Sequence, residues 1–200
     1  LTLKTKINQE EVRRSYSICS SPLDNELRVA VKHIQGGLFS TFANHDLKSG
    51  DHLEVMTPTG NFYTELAIEH EKNYMAFAAG SGITPILSIL KTILLTEPNS
   101  TFTLFYGNKN TGSIIFREAI EALKNKFMQR LKVYYFMTRE SLDAPLMNGR
   151  IDAAKCEQIF DKLIDIKSID HCFSCGPESM IFAVRDSLLE RGFDAQKIHF

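Results

Sequence analysis

Residues 80–85 read Gly-Ser-Gly-Ile-Thr-Pro, directly after the apolar run 74–79 and ahead of Ile86, Leu87, Ile89 and Leu90. A strand, a glycine turn and a helix in that order offer free backbone N–H groups and the positive end of a helix to a pyrophosphate. Gly80 and Gly82 permit a tight turn with close backbone approach, and Pro85 suits the first helical turn, where a missing N–H costs nothing. The third glycine of a dinucleotide fingerprint is absent, because position 85 is Pro. Three more apolar runs end in groups with chemistry of their own: Tyr106-Gly107-Asn108-Lys109, Thr138-Arg139-Glu140 and Cys175-Gly176-Pro177-Glu178. In an open parallel sheet, ligands sit beyond the carboxyl ends of the strands. Four such ends at one edge would form one site.

A second set lies near the start of the chain. Arg13-Arg14-Ser15-Tyr16-Ser17 reads as strand, with Arg14 and Tyr16 sharing one face and Ser15 and Ser17 the other. Val31-Lys32-His33-Ile34-Gln35 then passes through Gly36-Gly37 into Leu38-Phe39-Ser40, which predicts another anion-binding helix start. Of Cys19, Cys156, Cys172 and Cys175, the last two alone have a suggestive spacing. Cys172 falls inside a strand, so neither a metal site nor a redox dithiol is expected; free thiols in a reducing cytoplasm are the simpler reading.

The elements that must position these groups differ before and after the polar segment 66–73. The front part has short runs over 12–20, 26–31 and 52–57, with turns at Gly36-Gly37, Ser49-Gly50-Asp51 and Pro58-Thr59-Gly60. This predicts a small antiparallel barrel or sandwich with one helical turn at 38–45. The rear part predicts strands over 74–79, 101–106, 131–137, 170–175 and from 198. Between them lie helices over 85–96, 116–127, 152–164 and 178–191. That alternation is the mark of a doubly wound parallel sheet with helices on both faces. The expected division is a barrel domain over 1–68 and an α/β domain over 69–200.

Composition narrows the function. With 23 Lys+Arg against 24 Asp+Glu and a net charge of -1, no basic excess exists to hold a nucleic acid. The longest mostly apolar stretch is broken at residues 80–85, and neither piece spans a hydrocarbon core of ~30 Å. No membrane segment is expected.

Taken in order, Arg14-x-Tyr16-Ser17, Gly37-Leu38-Phe39-Ser40, Gly80-Ser81-Gly82-Ile83-Thr84-Pro85 and Cys175-Gly176-Pro177 resemble the ferredoxin–NADP reductase family over essentially all 200 residues. Arg-Arg-Ser-Tyr-Ser-Ile-Cys-Ser-Ser and Ile-Phe-Arg-Glu resemble its oxygenase-reductase branch in particular. The resemblance implies an FAD-binding barrel followed by a pyridine-nucleotide domain. It implies that Arg14 pairs with the FAD pyrophosphate, that Tyr16 packs on the isoalloxazine and that Ser17 bonds near flavin N5. Val31 and Lys32 line the flavin, and Gly37, Leu38 and Ser40 offer amides and a hydroxyl to the pyrophosphate. Thr84 approaches the flavin, while Gly80, Gly82 and Pro85 admit the nucleotide together with Tyr106, Gly107 and Asn108. Cys175 and Gly176 lie by the nicotinamide, and Pro177 and Met180 shape its pocket. Ser17 and Cys175 orient the reacting atoms and are neither acid nor base. Thr138-Arg139 matches the pair that grips a 2′-phosphate, which favours NADPH over NADH; an NADH enzyme would place a carboxylate on the ribose diol.

The resemblance further implies barrel strands ahead of Leu1 and a [2Fe–2S] domain beyond Phe200, so the 200 residues look trimmed at both ends. The partner it implies is the oxygenase component of a multicomponent system for aromatic degradation, phenylacetate in particular. Two alternatives stay open: the same module serving another acceptor, such as a flavohaemoglobin-like one, and a flavin-free regulatory subunit that binds nucleotide.

Overall fold

The chain begins with a hairpin. Thr2–Ile7 (β1) pairs antiparallel with Glu10–Ser15 (β2) across Asn8 and Gln9, both at positive φ, a two-residue turn whose twist suits a hairpin. Glu54–Val55 (β3) adds to the other side of β1, giving the antiparallel order β2-β1-β3. The outer face is charged, with Lys4 bridging Glu11 at 3.1 Å and Glu54 at 2.9 Å. The inner face buries Leu3 and Val12 with Phe39, and Tyr16, Val29, Val31 and Leu53 pack around them.

The predicted strands of this part are shortened. The first ends at Ser15, 26–31 keeps one bridge between Ile18 and Val29, and 52–57 is reduced to β3. Polar side chains take up the backbone that a ladder would use. Ser20 Oγ donates to Glu26 O and accepts from Arg28 N, each at 3.0 Å. Ser21 and Asp24 close a capping box around Pro22–Asp24. Such local bonds compete with sheet formation. Leu38–Thr41 (α1) is a single helical turn, continued by a π-type turn over Phe42–Asp46.

The structure, a computed structural model, describes residues 1–200, which divide into Leu1–Asn61 and Phe62–Phe200. The division falls earlier than the polar segment suggests, because Phe62 and Leu66 pack on the second core. Glu97, fully buried, holds the same segment in place. Its carboxylate accepts from Ala67 N at 3.3 Å, Tyr74 Oη at 2.9 Å and Ser100 Oγ at 2.7 Å, and meets His70 Nδ1 at 2.7 Å.

In the second unit, Asn73–Ala79 (β4), Thr101–Asn108 (β5), Leu131–Met137 (β6), His171–Cys175 (β7) and Ile198–His199 (β8) form a parallel sheet ordered β6-β5-β4-β7-β8. Helices Ile83–Thr96 (α2) and Arg117–Lys126 (α3) cover the face that carries Tyr74, Ala76, Leu104 and Tyr106. Ala153–Lys162 (α4) and Glu178–Glu190 (α5) cover the face of Met75, Phe77, Phe105 and Cys172. Strands buried on both faces read as continuous apolar runs, which is why this unit follows its sequence reading closely. Helix α2 buries Ile83, Ile86, Leu87, Leu90, Ile93 and Leu94, one stripe at helical spacing, and starts two residues before Pro85. No helix is long and apolar enough to cross a membrane.

Candidate functional site

In the second unit the register aligns the strand exits. Ala79 pairs with Gly107, Ala78 with Cys175, and Asn108 with Met137, so the predicted groups stand at one edge on either side of the switch between β4 and β7. From β4 the chain turns through Gly80–Gly82, with Gly80 at φ +53°, into the N-terminus of α2. Thr84, nearly buried, donates its hydroxyl to Ser81 O at 2.9 Å and so fastens this turn.

Three predicted contact residues have structural occupations. Tyr106 is fully buried, with its hydroxyl donating to Gly80 O at 3.0 Å and Ile115 O at 3.4 Å. Its ring therefore cannot stack on a nucleotide, and it acts instead by holding the Gly80 carbonyl. Burial also raises its phenol above the ordinary range, so the hydroxyl stays a donor. At Gly82, a side-chain carbon would lie 2.0 Å from Cys175 O. The space that glycine leaves open is filled by the backbone of β7. Gly176 likewise sits 3.1 Å from Ala79 Cβ and 2.8 Å from Met180 Cε, measured from where its own Cβ would stand. These glycines let β4, β7 and α2 close up.

The remaining exits carry free chemistry. Asn108 Oδ1 and Ser174 Oγ are buried without a hydrogen-bond partner, one ending β5 and the other a residue short of the end of β7. Buried orphan acceptors of this kind call for a ligand or a water. Thr138 N donates to Asn108 O at 3.0 Å and Arg139 N to Lys109 O at 2.8 Å, extending the ladder beyond the strands. The side chains of Lys109 and Arg139 are exposed and make no ion pair. Cys175 is half-buried, its thiol pushed up by burial and therefore neutral, and Pro177 is exposed at the start of α5. Cys172 and Cys175 face opposite sides of β7, the first packed among the α4–α5 core and the second against the α2–α3 core. No dithiol can form from that geometry.

In the first unit, Arg14 projects into solvent, and its Nη1 donates to Arg13 O at 2.7 Å with no carboxylate partner. Tyr16 is half-buried with its ring centroid 5.6 Å from that of Phe39. That contact brings Arg14-x-Tyr16-Ser17 beside Gly37-Leu38-Phe39-Ser40. Val31 and Lys32 lie outside any strand, and Ser17 is exposed. Ser40 departs from expectation. Its hydroxyl is buried, accepts from Ile34 N at 3.1 Å, and lies 3.2 Å from Gly37 O. It braces the glycine loop and has no free donor for a phosphate. The predicted helix start is also shorter than a helix able to present a dipole: α1 has four residues. The amides of Leu38 and Phe39 precede its first helical bond, from Thr41 N to Gly37 O.

These residues fit the two groups the motifs imply. A dinucleotide would meet an aligned strand edge, the N-terminus of a 14-residue helix and two cations without ion-pair partners; a flavin nucleotide would meet Arg14, which has no carboxylate partner, and the accessible side of Tyr16.

Comparison with known proteins defines the class. Residues 1–63 match the oxidoreductase FAD-binding domain and residues 77–186 the oxidoreductase NAD-binding domain. The chain belongs to the ferredoxin–NADP reductase family of FAD- and NAD-binding oxidoreductases. Among individual relatives, it is 45% identical over its whole length to a subunit of the 1,2-phenylacetyl-CoA epoxidase of Escherichia coli, covering 56% of that protein. It is 34% identical over 94% of its length to the ferredoxin reductase component of the Mycobacterium tuberculosis 3-ketosteroid-9-alpha-monooxygenase, covering 49% of it. The chain thus spans about half the length of these curated relatives. Among solved structures, the cytochrome b5 reductase domain of Ulva prolifera nitrate reductase superposes with a TM-score of 0.79 at 25% identity, over all of this chain and 82% of that one.

Proposed function

We propose that this chain is the flavin and nucleotide part of a reductase that draws electrons from NADPH in preference to NADH. They pass by way of FAD to an iron–sulfur centre serving an oxygenase of phenylacetate or related aromatic degradation. The reading is carried by one observation: Lys109 and Arg139 stand exposed, without ion-pair partners, on hydrogen-bonded segments at the edge where a dinucleotide would lie. The family segments and the two relatives named above support the rest. Four free cysteines fit a reducing compartment such as the cytoplasm.

The chemistry such cofactors would supply here is hydride transfer from nicotinamide to flavin, followed by release of the two electrons one at a time to a one-electron acceptor and of the proton to solvent. The residues bind, orient and exclude. In the first unit, Arg14 pairs with the FAD pyrophosphate, the amides of Gly37 and Leu38 supplement it, and Ser40 keeps their loop in shape. Tyr16 packs on the isoalloxazine, Ser17 bonds near its N5, and Val31 and Lys32 run alongside. In the second unit, the Gly80–Gly82 turn and Pro85 present the start of α2, while Tyr106 and Thr84 hold that turn. Asn108 offers its orphan oxygen. Lys109, Thr138 and Arg139 take the 2′-phosphate, whose two negative charges suit a guanidinium fork. Cys175 with Gly176, Pro177 and Met180 shapes the nicotinamide pocket, and a neutral thiol there can orient the ring without titrating. Orientation of this sort is worth several kcal/mol of barrier.

Visible spectra of the purified protein, taken without oxygen before and after NADPH or NADH, test the reading. Flavin bands that bleach faster with NADPH support it; a colourless protein overturns it in favour of a flavin-free subunit. Arg14→Ala should lower the flavin-to-protein ratio about tenfold or more, the scale of one charge-assisted bond; an unchanged ratio removes Arg14 from the site. Electron delivery to a haem protein in place of a plant-type ferredoxin would favour a flavohaemoprotein-like acceptor.

A further inference from the structure

Glu140 follows Arg139 directly, where a free carboxylate would repel the phosphate that the arginine attracts. It is not free. Glu140 Oε2 accepts the Thr111 N–H at 2.6 Å and Oε1 accepts the Thr111 hydroxyl at 2.7 Å. These two bonds are the main reason its carboxyl is held below the usual range. Thr111 opens the turn Thr111–Ser113, which Asn110 and Ser113 close reciprocally: Ser113 Oγ donates to Asn110 O at 2.7 Å and accepts from Asn110 N at 3.1 Å. On the strand side, Arg139 N bonds Lys109 O and Thr138 N bonds Asn108 O. The paired segments 108–111 and 138–140 are therefore tied at both ends, by the strand ladder on one side and by the Glu140–Thr111 clasp on the other. Lys109 and Arg139 stand between the ties.

We infer that Glu140 is a positioning residue for recognition of the 2′-phosphate: through Thr111 it fixes the two segments that carry Lys109 and Arg139. This rests on the NADPH reading above and deepens it. Each oxygen of this carboxylate already accepts one donor from Thr111, which turns the group toward that turn and away from the role a carboxylate on a ribose diol would have for NADH. Its negative charge is also partly offset by donors, and Arg117 adds a favourable charge to it.

The test measures binding of 2′,5′-ADP and 5′-ADP to the whole chain by calorimetry. Wild type should bind 2′,5′-ADP at least tenfold more tightly. Glu140→Ala should reduce that preference about tenfold. Glu140→Gln should keep it within twofold of wild type, because an amide can still pair with both the N–H and the hydroxyl of Thr111. In turnover, the loss in Glu140→Ala should fall on KM for NADPH and not on kcat. Should Glu140→Ala fail to fold, Thr111→Val removes one of the two bonds and should lower the preference about threefold. Wild type without preference for 2′,5′-ADP overturns the NADPH reading and this inference with it. Wild type with the preference, and Glu140→Ala or Thr111→Val retaining it in full, overturns the clasp alone. Equal loss in the Ala and Gln variants also overturns it, because Gln keeps a partner for both the N–H and the hydroxyl of Thr111.

Discussion

In Phe62–Phe200 the candidate site residues stand at the ends of strands buried on both faces, whereas in Leu1–Asn61 they stand on an edge strand, on irregular segments beside it and on a single helical turn. The second unit has two cores of aromatic and branched side chains; the first has Leu3, Val12 and Phe39. Position is set in the second by packing and by backbone meeting backbone, as at Gly82 and Cys175. In the first it is set by hydroxyls and amides that fold back on the main chain, as with Ser20, Ser40 and Asn44, whose Nδ2 donates to Ser40 O at 2.7 Å. A close-packed interior tolerates almost no added volume, while a hydrogen-bonded loop loses only modest energy per bond.

Substitutions can break that contrast. The largest effect is expected from Gly82→Ala, which sets a carbon 2.0 Å from a main-chain oxygen that has no flexible end to move. A loss of about 3 kcal/mol is expected, seen as a calorimetric transition of the second unit falling by roughly 6–12 °C. An unchanged transition would mean that the packing there is loose.

Next comes Glu97→Gln. Burial raises the Glu97 carboxyl, but its bonds to Ser100, His70, Tyr74 and Ala67 outweigh this and hold it below 4.5. A carboxyl lowered on folding contributes stability above its unfolded pKa and loses it as pH falls through the folded one. The wild-type unit should thus weaken on acidification below about pH 4.5. The variant should be about 1–3 kcal/mol less stable at neutral pH, with a shallower acid limb. Melting temperatures over roughly pH 3 to 7 check both.

The smallest effect should follow Ser40→Ala in the first unit, about 1 kcal/mol. Because its hydroxyl already serves Ile34 and Gly37, flavin retention should change less than in Arg14→Ala. An equal loss of flavin would show that the hydroxyl turns to the phosphate when FAD binds.

Legibility in the sequence follows the same divide. The strand expected over 131–137 is Leu131–Met137, and the helix expected from 178 begins at Glu178, since a strand covered on both sides must be apolar throughout. The strand expected over 26–31 gave way to bonds from Ser20, which no alternation pattern reveals. At the site, the strand exits could be read because a glycine, a proline or a cation follows each apolar run. What Tyr106 does there could not: an aromatic ending a strand looks alike whether it faces a ligand or holds a carbonyl. The Thr111–Glu140 clasp joins residues 29 apart through loop geometry, and the Glu97 cluster joins Ala67 to Glu97 across 30, so neither leaves a local signature.

The crossing at Gly82 works as a gauge. Since peptide abuts peptide there, main-chain contact sets the spacing between the Gly80–Gly82 turn and the end of the thiol-bearing strand, and Tyr106 and Thr84 only fasten the turn in that place. A substitution elsewhere at this edge would leave that main-chain distance in place as long as position 82 stays glycine.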